Sequence, residues 1–274
     1  MPDPSRLDTP PPHLAKAVDD NLIALYYAFC TLPDSEMVVD ERLCYHHAFP
    51  SNPLFKAVWR THLAEGEVED AIDRVIAWFK SRGAPFFYWW VNPHTRPADM
   101  PERLLARGFE PGLVDSRCMG IDLRSLSTAS PQIPGFVVKL VETQPALEDW
   151  RDVLVSAYES PSIIGQAWVD ATLALGLANA PWKLYLGYLD GQPVATILLF
   201  DGAGVTGLLA VSTLACVRGR GIGTGITLLP LLQARQQGAR TCVLFSSDMG
   251  YGVYRRMGFW DLEYKISRYI WFNS

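Results

Sequence analysis

The chain has 274 residues, 49% of them hydrophobic and 19% charged, with a formal net charge of -5. This is the composition of a globular protein long enough for one large domain or two ordinary ones. The acidic balance removes the basic surface that a nucleic acid or an anionic membrane would need as partner.

The first twelve residues hold five prolines and predict a disordered arm, 1–12. Val18, Leu22, Leu25, Tyr26 and Phe29 recur at helical spacing over Ala15 to Thr31. Met37 to Phe49 reads as strand. Glu67 to Ser81 is an amphipathic helix stopped by Gly83. Phe86 to Val91 is a strand buried on both faces, Pro101 to Ala106 a helix ended by Gly108, and 113–123 a strand. Arg124 to Gly135 is rich in Ser, Thr and Pro, and its core, 125–135, is the predicted linker.

After the linker the pattern restarts. Phe136 to Val141 is strand; Leu147 to Ala157 and Gln166 to Leu177 are helices. Lys183 to Leu189 and Val194 to Phe200 form a hairpin through Asp190-Gly191-Gln192-Pro193. Val205 to Thr213 is a third strand, Gly221 to Gln237 a helix, and Thr241 to Phe245 a strand. Met249 to Met257 is a short helix closed by Gly258, and strand follows to Phe272.

A weak repeat runs through this order. Gly83-Ala84 and Gly238-Ala239 each follow a long helix and precede an apolar strand. Arg107-Gly108-Phe109 and Met257-Gly258-Phe259 each close the short helix that comes next. Two copies of one supersecondary unit explain this, although helix-Gly-strand is a common α/β succession. The expected domains are 13–124 and 136–274.

The five cysteines, Cys30, Cys44, Cys118, Cys216 and Cys242, are odd in number and form no CxxC pair. This argues against a disulfide framework or a zinc site and fits a reducing compartment. Met1-Pro2-Asp3-Pro4-Ser5 has neither the basic nor the apolar region of a secretory signal. No stretch reaches the roughly 18 uncharged apolar residues of a membrane helix. The expectation is a cytoplasmic protein, monomer or homodimer, without a metal.

The chemistry lies at Val217 to Gly225, where glycines alternate at 219, 221, 223 and 225 between a strand and a helix. Such a backbone turns tightly and presents N–H groups to a ligand. The helix start adds unpaired N–H groups and a favourable dipole, and Arg218 and Arg220 add positive charge. This is a pyrophosphate cradle. A P-loop is excluded because Ile226 follows Gly225. The dinucleotide fingerprint fails at Thr224 or at Ile226, whichever register is used.

Arg218-x-x-Gly221-x-Gly223 resembles the pyrophosphate loop of the GCN5-related N-acetyltransferase (GNAT) superfamily. Tyr254-x-x-x-Gly258-Phe259 is similar to that family's tyrosine followed by Gly-Phe. The resemblance covers about 136–272. It implies an α+β fold: tandem GNAT-like mixed β-sheets flanked by helices, complete in the C-terminal half and partial in the N-terminal half. It also implies acetyl-CoA, or another short acyl-CoA, as co-substrate. The acyl donor would lie in a splay between two strands, with an amine attacking the thioester directly. The oxyanion-binding N–H falls at about Val211, and residues to Thr213, through Ser212, pair with pantetheine amides. Arg218, Gly219, Arg220, Gly221, Ile222, Gly223 and Thr224 hold the pyrophosphate, and Tyr254 is the general acid.

Two positions depart from the family. Ser247 stands where an Asn is frequent, which suggests a weaker hydrogen bond to coenzyme A. Gly207 stands where some members carry a Glu base, and Gly204 to Thr213 holds no carboxylate. A proton relay through water, Glu159 or Asp248 remains open, with Glu159 the candidate because it joins two helices where the family builds its acceptor site.

In the N-terminal half, aligning Gly108-Phe109 with Gly258-Phe259 sets Leu104 opposite Tyr254. Thr61 to Gly66 has one Gly and no Arg, so this half is expected to be catalytically dead and to wall the acceptor pocket. Phe86 to Trp90 reads as a buried strand before it reads as an aromatic pocket. His46, His47, His62 and His94 read as ordinary surface or capping residues. The leading expectation is an N-acyltransferase acting on a small-molecule primary amine. The alternatives are a protein N-terminal or lysine acetyltransferase and a non-catalytic acyl-CoA-binding protein.

Overall fold

The computed structural model describes residues 10–52, 54–129 and 131–273. The predicted arm therefore falls outside the described residues up to position 9. Its last residues are not an arm, since Pro12 is the N-cap of the first helix and the Pro11 carbonyl accepts the Leu14 N–H at 3.0 Å.

The first half runs α1 (His13–Phe29), β1 (Glu36–Val38), β2 (Leu43–His47), β3 (Lys56–Thr61), α2 (Val68–Ser81), β4 (Phe86–Val91), α3 (Met100–Ala106) and β5 (Glu110–Asp122). The second runs β6 (Phe136–Leu140), α4 (Gln144–Tyr158), α5 (Ser162–Leu175), β7 (Trp182–Leu189), β8 (Gln192–Gly202), β9 (Val205–Thr213), α6 (Ile222–Gln236), β10 (Thr241–Ser246), α7 (Asp248–Met257) and β11 (Trp260–Phe272). Two differences from the sequence reading fall in the first half. The strand predicted from Met37 to Phe49 is two antiparallel strands, and β3 carried no signal. Lys56 and Arg60 give β3 a charged look, yet the Lys56 side chain is buried and donates to the Asn52 carbonyl at 2.5 Å.

The repeat is visible in the hydrogen bonds. Phe109 N–H donates to the Leu104 carbonyl at 3.1 Å, as Phe259 N–H does to Tyr254 at 3.0 Å. Ala84 N–H donates to Phe79 at 3.1 Å, as Ala239 does to Ala234 at 3.0 Å. At each of these four stops a glycine with positive φ (Gly83, Gly108, Gly238, Gly258) lets the chain reverse and return into the core.

The eleven strands among the described residues form one mixed sheet in the order β1-β2-β3-β4-β11-β5-β10-β9-β8-β7-β6. The two halves exchange their last strands. β5 pairs with β10 of the second half, β11 pairs with β4 of the first, and β5 and β11 pair with each other. The stretch 125–135 separates the two halves in sequence, and the sheet runs through that division. Helices cover both faces. Phe87 and Trp89 pack with Ile72, Val75 and Phe79 of α2. Cys242 and Leu244 pack with Ile226 and Leu231 of α6 on the same side. On the other side Val243 packs with Leu14 and Val18 of α1, and Leu198 and Phe200 pack with α1 and α4.

α1 crosses the middle of the sheet and is anchored by Asn21. Its side-chain amide donates to the carbonyls of Phe200 (3.3 Å), Gly202 (3.0 Å) and Val205 (3.2 Å). No helix among the described residues is long and apolar enough to cross a membrane.

Candidate active site

β9 and β10 are parallel neighbours for only two residue pairs, Thr206 with Cys242 and Gly207 with Val243. Beyond Gly207 they part, although β9 continues to Thr213 and β10 to Ser246. The edge of β9 from Leu208 to Thr213 that faces β10 is therefore free of strand partners. A wedge opens there, and its narrow end is a small hollow of about 20 Å³, partly open to solvent. Leu208, Leu209, Val243, Leu244 and Phe245 line it from the sheet, and Val18, Asn21, Leu22 and Leu25 of α1 cover it.

In the same stretch the β8–β9 ladder breaks. Leu198 pairs with Leu209 and Thr196 with Ser212, so Ile197 faces both Ala210 and Val211. Ala210 carries the positive φ of this bulge, 50°. A bulge disturbs the ladder locally, and Ala210 and Val211 are the two residues set against Ile197 there. The hydroxyl of Tyr158, the last residue of α4, donates to the Val211 carbonyl at 2.8 Å. Thr196 and Ser212 hydroxyls lie 2.7 Å apart and tie β8 to β9 just past the bulge.

After Thr213 a 3₁₀ turn, Ala215–Val217, leads to the glycine loop. Gly219 and Gly221 have φ of 77° and 82°, a backbone that side chains disfavour. Gly221 is the N-cap of α6, and no side chain caps that helix end. The first intrahelical bond runs from Gly225 N–H to the Gly221 carbonyl at 3.0 Å. The N–H groups of Ile222, Gly223 and Thr224 precede it in the uncapped turn. Gly225 has a packing reason, since a Cβ there would lie 2.9 Å from the Phe136 ring. Gly223 has none: its Cβ would meet nothing nearer than Thr213 Oγ1 at 3.9 Å, and its φ is ordinary.

Arg218 is tied down rather than free. Its guanidinium donates to the carbonyls of Thr213 (3.0 Å) and Ala157 (2.9 Å), bracing the loop against the end of α4. Arg220 is exposed beside the uncapped helix end. Ser247 caps α7 by accepting the Gly250 N–H at 3.2 Å, so its oxygen has a local task.

Tyr254 sits on the inner face of α7, 7% exposed, with its ring 5.6 Å from that of Phe259. Its hydroxyl has no protein partner among the described residues. Burial pushes this phenol well above its ordinary pKa, and the nearby Tyr158 adds to the effect. Tyr254 and Val211 belong to one apolar cluster. Glu159 ends α4 in a left-handed conformation (φ 51°), exposed; its N–H donates to the Ser156 carbonyl at 3.3 Å, and its carboxylate has no hydrogen bond or ion pair among the described residues. Asp248 is an exposed residue in the first turn of α7.

The absence of a carboxylate at Gly207 has a steric cause. A Cβ there would lie 2.0 Å from Asn21 Oδ1, so α1 occupies the space that any side chain would need. Ala210, Asn21 and Tyr158 escaped the sequence reading. An alanine at positive φ leaves no trace in composition, and Asn21 and Tyr158 act through contacts far along the chain.

The start of α2, the counterpart of α6, differs in kind. A 3₁₀ turn, Glu65–Glu67, precedes it and holds two carboxylates. Glu67 pairs with Arg42 at 2.9 Å, and Glu65 and Glu69 pair with Arg103 at 2.9 and 3.1 Å. Acidic side chains at that end would repel a phosphate. His46 and His47 also correct the expectation of surface residues: they are 0% and 2% exposed, and none of their ring nitrogens has a partner among the described residues.

No family model matches the sequence, and no curated protein matches it. Solved structures do match. A GCN5-related N-acetyltransferase from Kribbella flavida aligns at TM-score 0.71 and 18% identity over 93% of this chain and 94% of that one. A second, from Sphaerobacter thermophilus, aligns at TM-score 0.61 and 16% identity over 96% and 94%. A tandem GNAT protein from the clavulanic acid biosynthesis pathway aligns at TM-score 0.58 and 12% identity over 88% and 84%. The chain thus adopts the tandem fold of GNAT acetyltransferases over nearly its whole length.

Proposed function

We propose that the protein is an acyl-CoA-dependent N-acyltransferase that moves an acetyl or other short acyl group to a small-molecule primary amine. One coincidence carries this reading: β9 parts from β10 in the stretch where its own ladder to β8 bulges, and the same strand then feeds an uncapped helix end. A wedge supplies the channel for a pantetheine arm. A bulge supplies a main-chain donor near Val211. A bare helix end supplies N–H groups for a pyrophosphate. The open space at Gly223 supports the last assignment, because nothing in the protein itself requires glycine there.

In this reading the amine nitrogen bonds to the thioester carbonyl carbon while the Val211 N–H stabilises the oxygen. The C–S bond then breaks, and Tyr254 supplies the proton that the sulfur takes up. The phenol's raised pKa keeps it protonated at neutral pH. The proton leaving the amine goes to water or to Glu159.

The apolar hollow under α1 is small, which favours an acetyl or similarly short chain. α1 over its narrow end also favours a compact acceptor over a protein surface. Release of free thiol from acetyl-CoA with a panel of small amines tests the activity. Tyr254→Phe is expected to lower kcat at least tenfold while leaving the thermal shift by coenzyme A intact. Unchanged turnover would remove Tyr254 from the mechanism. Coenzyme A binding with no turnover on any amine would leave the non-catalytic reading.

A further inference from the structure

The Ala210 carbonyl accepts a hydrogen bond from Thr196 Oγ1 of β8 at 2.8 Å. This bond decides which way the bulge faces. Thr196 immediately precedes Ile197, and its register partner is Ser212, so its hydroxyl reaches diagonally across the ladder. A trans peptide group is planar, with its C=O and N–H on opposite sides. The Ala210 carbonyl and the Val211 N–H belong to one such group, and it is trans. With the carbonyl held against β8, the Val211 N–H turns away from β8, toward the gap where β10 has parted. Neither Ala210 nor Val211 has a register partner in β8 that would hold it otherwise.

The Thr196 side chain is 0% exposed, and Ser212 Oγ lies 2.7 Å from its oxygen. A carbonyl only accepts, so the Thr196 proton goes to Ala210, and Ser212 donates to Thr196. A buried chain of hydroxyls thus runs from Ser212 through Thr196 to the Ala210 carbonyl. Such chains polarise their members, and a donor on the C=O makes the N–H of the same peptide a better donor. Ala210 also needs the support, because its φ of 50° is disfavoured for alanine.

The neighbouring carbonyls are held from the other side. Val211 C=O accepts from the Tyr158 hydroxyl at 2.8 Å, and Thr213 C=O accepts from Arg218 Nε at 3.0 Å. These donors come from the end of α4 and from the glycine loop, not from β8. The protein supplies donors to the carbonyls of this edge and leaves the Val211 N–H to an oxygen from outside.

We infer that Thr196 is a positioning residue for acyl transfer, its buried hydroxyl holding the Ala210–Val211 peptide so that the Val211 N–H projects into the wedge at the acyl oxygen. The inference rests on the proposed transferase reading. Thr196 itself touches no substrate and acts through the peptide that it orients.

Thr196→Val and Thr196→Ser test it, with acetyl-CoA and an amine that the parent turns over. Valine keeps the branched shape and removes the hydroxyl. A whole oxyanion donor is worth about a hundred- to a thousandfold in kcat, so misaiming one should lower kcat at least tenfold in Thr196→Val. KM for acetyl-CoA should stay within about threefold, and the thermal shift by coenzyme A should be unchanged, because the pyrophosphate end is untouched. Thr196→Ser restores the hydroxyl and should recover kcat to within about threefold of the parent. A second readout needs neither a variant nor turnover. In amide exchange of the unliganded parent followed by NMR, the Val211 N–H should exchange at least tenfold faster than that of Ser212, the register partner of Thr196. Val211 exchange as slow as that of Ser212 would overturn the inference, as would a KM that rises with the fall in kcat or a serine variant no better than valine. Parent-like kcat in Thr196→Val would refute the inference alone. No turnover by the parent on any amine would refute the transferase reading, and the inference with it.

Discussion

Gly223→Val separates the fold's need for glycine from a ligand's need. The site lies in the first turn of α6 with ordinary φ and no heavy atom closer than 3.9 Å to a Cβ. Valine is more favourable than glycine in a helix by roughly 0.3 kcal/mol, so the unliganded protein should melt at or slightly above the parent's Tm. Coenzyme A at about 100 times its Kd should stabilise the parent by about 2.7 kcal/mol. At about 2–4 °C per kcal/mol for a chain of this size, the shift is about 5–11 °C. A side chain at 223 stands where a pyrophosphate would approach the bare N–H groups, and loss of charge-assisted hydrogen bonds costs about 2 kcal/mol, or thirtyfold in Kd. At the same ligand concentration only about 0.9 kcal/mol of stabilisation would remain, a shift of about 2–4 °C. Differential scanning fluorimetry with and without coenzyme A reads both numbers. A full ligand shift in the variant would refute the placement of the pyrophosphate on α6. A fall of several degrees without ligand would refute the claim that the fold does not need this glycine.

Asn21→Ala removes the amide that serves three carbonyls of β8 and β9, and should cost about 1–3 kcal/mol, read as a lower Tm or urea midpoint. An unchanged midpoint would mean that α1 is held by its apolar face alone. Stability should fall on mild acidification. Burial, with the Lys56 charge adding, lowers His46 to about 3 and His47 to about 4. Unfolded histidines take up protons near pH 6.5, so between that value and these folded values the unfolded chain binds more protons and stability drops with pH. At pH 5 His46 alone accounts for about 2 kcal/mol. His46→Asn should flatten the slope of urea midpoints from pH 7 to 5, and an equal slope in parent and variant would refute the assignment. Residues 131–274 expressed alone should lack cooperative melting by circular dichroism, because β10 and β11 would lose β5 and β4. Co-expression with residues 10–129 should restore it, and a folded lone half would contradict the need for strand exchange.

Much of this protein was legible locally. The four glycine stops, the amphipathic α2, the β7–β8 hairpin and the Arg218 to Gly223 loop were each readable because their physics spans a few residues: a positive φ, a 3.6-residue period, a helix end. Tyr254 and Gly258-Phe259 were readable for the same reason, since Gly258 turns the chain and returns Phe259 beside the tyrosine. The strand exchange was not. Register between β5 and β10 or β11 and β4 depends on partners more than a hundred residues away, and each strand alone satisfies its alternation wherever it lies. Nor did the sequence mark the bulge at Ala210, the burial of His46 and His47, or the pairing of Asn21 with Gly207. Those follow from packing α1 across both halves, where the space left by one residue is set by another from the opposite end of the chain. The sequence alone therefore determined the repeated unit and marked the glycine loop that we propose as a phosphate cradle. Tertiary structure decided that the two units share one sheet and that a wedge opens between β9 and β10 beside that loop.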